Sequence, residues 1–153
     1  MAATVIGGGV RENVLPQHAW ALVNFRLRPG DRLVDVMEHV RRTVADPRVS
    51  VRALDFAREA SPVSGIEAPS FQTLAATIRQ VFPDTVVAPS LLIGATDSRH
   101  YAKLTDNIYR FLPQRLGPGD VNRIHGTDER VSVGNYAEII QFYAQLIRNS
   151  AGG

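Results

Sequence analysis

His18-Ala19-Trp20-Ala21-Leu22-Val23-Asn24-Phe25-Arg26-Leu27-Arg28, joined directly to Pro29-Gly30-Asp31, alternates in polarity along its length. Ala19, Ala21, Val23, Phe25 and Leu27 fall on one face, and Trp20, Leu22, Asn24, Arg26 and Arg28 on the other. Successive side chains of a strand point to opposite sides, so this spacing predicts a strand with one buried face. The second face is mixed and leaves Asn24 and Arg26 able to meet something polar. Pro29-Gly30 stops the strand. Asp31 is the expected N-cap of a helix carrying Leu33, Val36, Met37, Val40 and Val44 at helical spacing. Asp46-Pro47 ends that helix, and residues 49–54 alternate again as a strand. With a short β-favouring run at residues 3–6, the order strand, strand, helix, strand outlines a small α/β layer.

Gly7-Gly8-Gly9 interrupts the chain between that first run and Val10. A phosphate-cradling loop would need a helix opening on Lys and Ser or Thr, which is absent, so a bulge or turn is the simpler reading. Asn13-Val14-Leu15-Pro16 is a turn, because Pro16 pushes Leu15 toward extended backbone.

Residues 55–69 change character, since Ser61, Pro62, Ser64, Gly65 and Pro69 interrupt any periodicity, and a domain boundary is expected there. A helix is expected from Ser70 to Val81, with Phe71, Leu74, Ile78 and Val81 on one side. Residues 85–88 and 90–93 read as a buried strand running into the polar loop Gly94-Ala95-Thr96-Asp97-Ser98-Arg99-His100-Tyr101. Open α/β sheets place ligands at such strand ends. Residues 107–112 form another expected short strand, and a Pro- and Gly-rich loop leads to Ile124-His125-Gly126. Ser132 is the expected cap of a last helix with Val133, Tyr136, Ile140, Tyr143 and Ile147 along one stripe.

The 153 residues are 44% hydrophobic and 21% charged, an ordinary globular balance that argues against disorder. Lys103 is the only lysine, and the arginines are spread along the chain without a basic run or interleaved aromatics, so nucleic acid is not an expected partner. The absence of cysteine excludes disulfides and thiolate metal sites. No apolar run approaches the ~18 residues of a membrane helix, and the N-terminus lacks a signal-peptide pattern. A soluble, cytoplasmic protein without a membrane partner is expected.

Arg99 offers a rigid fork of donors that suits a carboxylate, although an arginine bridging a loop to a helix end would serve the same sequence. His125 is a candidate metal ligand, although a lone histidine before glycine is often only a turn residue. Asp128-Glu129 fits a solvated or capping role, Ser98 has no identifiable base, and His18, His39 and His100 show no ligand spacing. The residues alone give a hydrolase-like loop layout short of metal ligands.

Asn13-Val14-Leu15-Pro16, Val23 through Asp31, Thr96-Asp97-Ser98-Arg99, Ile108-Tyr109-Arg110-Phe111 and Ile124-His125-Gly126-Thr127-Asp128-Glu129 occur in an order that matches one family. The chain resembles the C-terminal part of dinuclear-zinc metallopeptidases of the aminoacylase, carboxypeptidase S and succinyl-diaminopimelate desuccinylase family. The resemblance implies an α/β (α+β) chain. Residues 1–56 would form an incomplete ferredoxin-like lid and dimerisation domain (strand-strand-helix-strand). Residues 57–66 would be a linker and 67–153 the C-terminal α/β portion of the catalytic domain. It further implies His125 as a zinc ligand, Arg99 as the grip on a substrate carboxylate, and Thr96 and Gly94 on the same substrate loop. Asn13 and Arg26 match lid positions that reach toward a substrate or a neighbouring subunit.

The family reaction is amide hydrolysis of N-acyl amino acids or short peptides, with two zinc ions activating a water and a glutamate as base. The other metal ligands and that glutamate would lie upstream of Met1, and each ion needs about three protein ligands. The chain alone is therefore expected to be inactive: a truncated product, or one piece that pairs with a separate N-terminal half. Unpaired sheet edges also predict self-association, with a lid-to-lid homodimer as the natural form. The alternatives are a free-standing carboxylate-binding or dimerisation module using Arg99, and a degenerate remnant with no ligand.

Overall fold

A computed structural model describes residues 1–92 and 94–151. It contains two strands, β1 (Ala2–Gly8) and β2 (Ala19–Asn24), and three helices, α1 (Leu33–Val44), α2 (Pro69–Val81) and α3 (Val133–Ala151). Short 3-10 turns cover Asp97–Tyr101 and Asp120–Arg123. The chain divides into two compact units. The first is Met1–Pro62 with the short stretch ending at Thr96; the second is Val63–Leu92 with Asp97 onward.

In the first unit β1 and β2 pair antiparallel, in the register Gly8 with Ala19, Gly7 with Trp20, Ile6 with Ala21 and Val5 with Leu22. The register shifts between Ala3 and Val5, so the bulge falls at Thr4 rather than at the glycines. The glycines have a different use. Trp20 lies across Gly7 so closely that a Cβ there would sit 2.6 Å from the indole ring. The expected strand over 18–28 ends early, at Asn24, which pairs with Ala2, the first residue of β1.

Helix α1 forms where its apolar spacing places it, with Asp35 in the first turn and Arg41 and Arg42 in the last, as the helix dipole favours. Its cap differs from expectation. Asp31 turns back to accept hydrogen bonds from the Arg28 amide (3.1 Å) and Nε (3.3 Å), and the Glu59 carboxylate instead takes the orphan Leu33 N–H at 2.9 Å. Ala45, in the left-handed region, ends the helix.

The third strand of the expected lid is not formed. Residues 49–54 meet no neighbouring strand among the described residues, and Arg41 touches them only at the Val51 carbonyl, 3.3 Å away. Alternation describes a face, but a strand needs a backbone partner. Helix α1 packs on neither strand, and no residue of Met1–Pro62 is buried. The ferredoxin-like packing is therefore not confirmed among the described residues, and what stands is a mixed α/β chain with a two-stranded antiparallel sheet and three helices. The expected strands at 85–88, 90–92 and 107–112 are likewise unpaired among the described residues; Ile93 lies outside them. Val86 is 92% exposed, where a buried strand was expected.

The core belongs to the second unit. α2 and α3 pack together through Ile78, Phe82 and Phe142, with Leu74, Val81, Val87 and Leu146 against them. The Phe142 ring, 1% exposed, meets Phe111 at 5.1 Å and Phe82 at 6.2 Å between centroids. Buried Thr77 donates to the Thr73 carbonyl (2.8 Å) and accepts from the Asn149 amide (2.8 Å), a polar tie between the helices. Ser132 caps α3 as expected, accepting the Asn135 N–H at 3.1 Å.

The chain exposes 12,539 Å². Two compact proteins of these two sizes would together expose about 9,200 Å². Apolar side chains that no described residue covers, among them Val10, Leu15, Val86 and Leu104, contribute to the difference.

Candidate functional site

Asn135, 5% exposed in the first turn of α3, closes the neck of the loop that carries His125. Its Nδ2 donates to the Pro113 carbonyl (3.2 Å) and to Glu138 (3.0 Å), and its Oδ1 accepts the Arg115 N–H (2.9 Å). Arg115 lies over the Phe82 ring at 5.1 Å and forks between Asp84 (2.9 Å) and Glu138 (2.9 Å). Hydrogen bonds from Arg115 hold the Asp84 and Glu138 carboxyls below their usual range, and the same bonds raise the Arg115 guanidinium. The end of α2, the start of the loop and the start of α3 are thus fastened at one point.

Within the loop, Arg123-Ile124-His125-Gly126 is a type II turn. Gly126 N–H donates to the Arg123 carbonyl at 2.8 Å, Ile124 has φ −60° and ψ 122°, and His125 has φ 59°. The third position of this turn needs positive φ and is ordinarily glycine. Here it is an exposed histidine. A Cβ on Gly126 would lie 3.3 Å from the Arg123 and Asn122 carbonyl oxygens, so the glycine after His125 is used for close approach.

The carboxylates around the turn are already engaged. Glu129 accepts the His125 N–H at 3.0 Å. Asp120 accepts the Gly117 N–H at 2.7 Å and pairs with Arg123. The Gly117 amide is the main cause of its lowered pKa, with Arg123 adding to it. Asp128, itself at φ 64°, faces Arg123 at 3.7 Å and Arg130 at 3.1 Å. Among the described residues no group of three His, Asp or Glu is disposed to hold a metal ion. The donor set expected for a zinc pair is therefore not assembled among the described residues.

Arg99 lies exposed on the Asp97–Tyr101 turn, where its Nε donates to His100 Nε2 at 3.3 Å. Ser98 accepts from Arg110 Nε at 2.9 Å, which fixes the loop beside it. Among the described residues no hydrogen bond or ion pair joins Arg99 to His125, though both belong to the second unit. Gly94, Thr96, Asn13 and Arg26 belong to the first unit; Thr96, Asn13 and Arg26 are exposed and Gly94 half-buried. The sequence reading missed Asn135, Arg115 and Arg123. Their sequence signal is weak, because a neck lock and an alternating Asp/Arg ladder look like solvated polar residues until the loop closes.

His125 thus stands on a strained, braced turn ahead of the last helix, and Arg99 on a separate polar loop. The chain belongs to the peptidase family M20/M25/M40, whose family model matches residues 4–149. It is 44% identical over 149 residues to the probable carboxypeptidase S-like 2 of Dictyostelium discoideum, covering 97% of this chain and 29% of that protein. It is 40% identical to the N-fatty-acyl-amino acid synthase/hydrolase PM20D1.1 of Danio rerio (97% of this chain, 29% of that protein). With the human N-fatty-acyl-amino acid synthase/hydrolase PM20D1 the identity is 41% (97% of this chain, 30% of that protein). The chain thus spans about 30% of the length of the curated relatives it matches. No solved structure matches. No helix among the described residues is long and apolar enough to cross a membrane.

Proposed function

We propose that this chain is a portion of a zinc-dependent amidase or carboxypeptidase that hydrolyses the amide bond of N-acyl amino acids or short peptides bearing a free carboxylate. Its relatives' names carry the reaction class, and enzymes of this family are generally metal-dependent. The observation that carries the reading within the chain is His125, exposed in a conformation that glycine ordinarily takes. A turn that retains histidine at such a position gives up about 1–2 kcal/mol of backbone energy, which favours a role for the imidazole. His125 is then one metal ligand, and Arg99 takes the substrate carboxylate, with Thr96 and Gly94 on the same loop and Asn13 and Arg26 contributed by the lid. When bound, zinc would polarise the scissile carbonyl and activate water. The remaining ligands come from outside this chain, so the chain by itself does not turn over. Each strand of the β1–β2 hairpin has one free edge, which supports a homodimer through this unit.

The test is metal stoichiometry on the purified chain after dialysis against trace zinc, with hydrolysis of an N-acyl amino acid measured alongside. Little retained zinc and no turnover are expected. Close to two tightly held zinc ions with turnover would overturn the reading that ligands lie elsewhere. A second reading, a carboxylate-binding module without catalysis, is favoured by Arg99 alone, whose one partner among the described residues is His100. It requires zinc-independent binding of an acyl amino acid that is lost in Arg99→Ala and kept in His125→Ala.

A further inference from the structure

We propose that Glu129 and Arg123 are positioning residues for His125, holding it in the strained turn that presents its imidazole. The inference deepens the reading of His125 as a ligand and rests on it for its purpose, although the geometry stands by itself. A histidine at positive φ relaxes toward extended backbone unless its surroundings over-determine it.

Two constraints do so here. Glu129 Oε2 takes the His125 N–H at 3.0 Å, which fixes the orientation of the central peptide of the turn. Without that acceptor the peptide is free to rotate and the turn to change type. Arg123 occupies the first position of the same turn. Its guanidinium pairs with Asp120 on the preceding 3-10 turn and faces Asp128 at 3.7 Å on the far side of His125, so one side chain spans the turn from entry to exit. Both anchors are themselves held: Asp120 by the Gly117 N–H, Asp128 by Arg130. Neither positioning residue need touch a ligand. Asp128 and Glu129, which read from sequence as solvated or capping residues, are the exit anchor and the central clamp.

The experiment uses the whole chain, isotope-labelled and free of metal, and reads the His125 Cα and Cβ shifts and its HN–Hα coupling, which report positive φ. Glu129→Ala and Arg123→Ala are each expected to move His125 toward extended-backbone values. Glu129→Gln keeps an acceptor oxygen and is expected to retain the wild-type signature, with Phe142 resonances unchanged throughout as the control for folding. If both alanine variants leave His125 at positive φ, or if Glu129→Gln disturbs it as much as Glu129→Ala, the proposal is overturned. Zinc chloride is then titrated into each variant and the His125 imidazole resonances are monitored. Weakening by about tenfold in the alanine variants is expected, the lower end of what losing an outer partner costs a metal ligand. Loss of the turn without any response to zinc in the wild type would leave the positioning role standing and sink the ligand reading instead.

Discussion

Replacing Asn135 with alanine removes the side-chain amide that ties Pro113 and Arg115 to the start of α3 at the neck of the His125 loop, while the Gln114–Arg130 and Arg115–Glu138 bonds remain. The amide serves two backbone groups, the Pro113 carbonyl and the Arg115 N–H, and it is 5% exposed. A buried backbone group left without a partner costs about 1–3 kcal/mol. Partial access of water at the loop side places each near the lower half of that range, so the sum is roughly 3 kcal/mol. The native Ser132 cap survives, because it uses the Asn135 backbone N–H. For a unit of this size roughly 3 kcal/mol, a large share of the whole stability, lowers Tm by about 12–24 °C. Urea unfolding monitored by far-ultraviolet circular dichroism, which is dominated by the helices, measures the change directly. The slope with denaturant should stay constant while the midpoint falls. A loss below about 1 kcal/mol would mean that water replaces the amide at no penalty, and the neck would then be an incidental contact.

Three further outcomes rest on the same geometry. Asp84 and Glu138 have folded-state pKa values below the usual ones, so their contribution is complete above the unfolded values of 3.8 and 4.5 and is lost as pH falls through the folded ones. Arg115→Ala should therefore flatten the fall in Tm below about pH 4.5, and an unchanged acid limb would show the fork to be screened away. Gly7→Ala forces the indole of Trp20 to move; loss of its near-ultraviolet circular dichroism band is expected, and an unaltered band would contradict the close approach. Phe142→Ala empties the centre of the only core among the described residues and should cost about 3–5 kcal/mol, enough to leave α2 and α3 unpaired in hydrogen exchange.

The helices were legible in the sequence because each carries its own signal. The Leu33–Val44 and Val133–Ala151 stripes recur at helical spacing, and a helix satisfies its own backbone. Two of the expected strands formed, at 3–6 and within 18–28, but 49–54, 85–88 and 107–112 have strand-like side chains and no ladder partner among the described residues. Pattern reveals which face wants burial and says nothing of whether a neighbour is present. At the site, the loop position of His125 could be read from the glycine and polar residues around it. Its positive φ could not, because the conformation is imposed by Glu129 four residues on and by an arginine held between two aspartates. Asp31 misled for a related reason: the arginine three residues before it competes for the carboxylate that would have capped α1.

The sole tryptophan, Trp20, lies on β2 in the first unit, and all four tyrosines, Tyr101, Tyr109, Tyr136 and Tyr143, lie in the second. The optical chemistry of the chain is thus partitioned along the same line as its folding units. Excitation at the red edge of the absorption band, where only indole absorbs, tracks the hairpin by itself. Phenol absorbance at shorter wavelength, with the Trp20 part subtracted, tracks the helical pair. Two coincident melting curves would mark one cooperative transition, and two separated ones would give each unit its own stability without a single mutation or label.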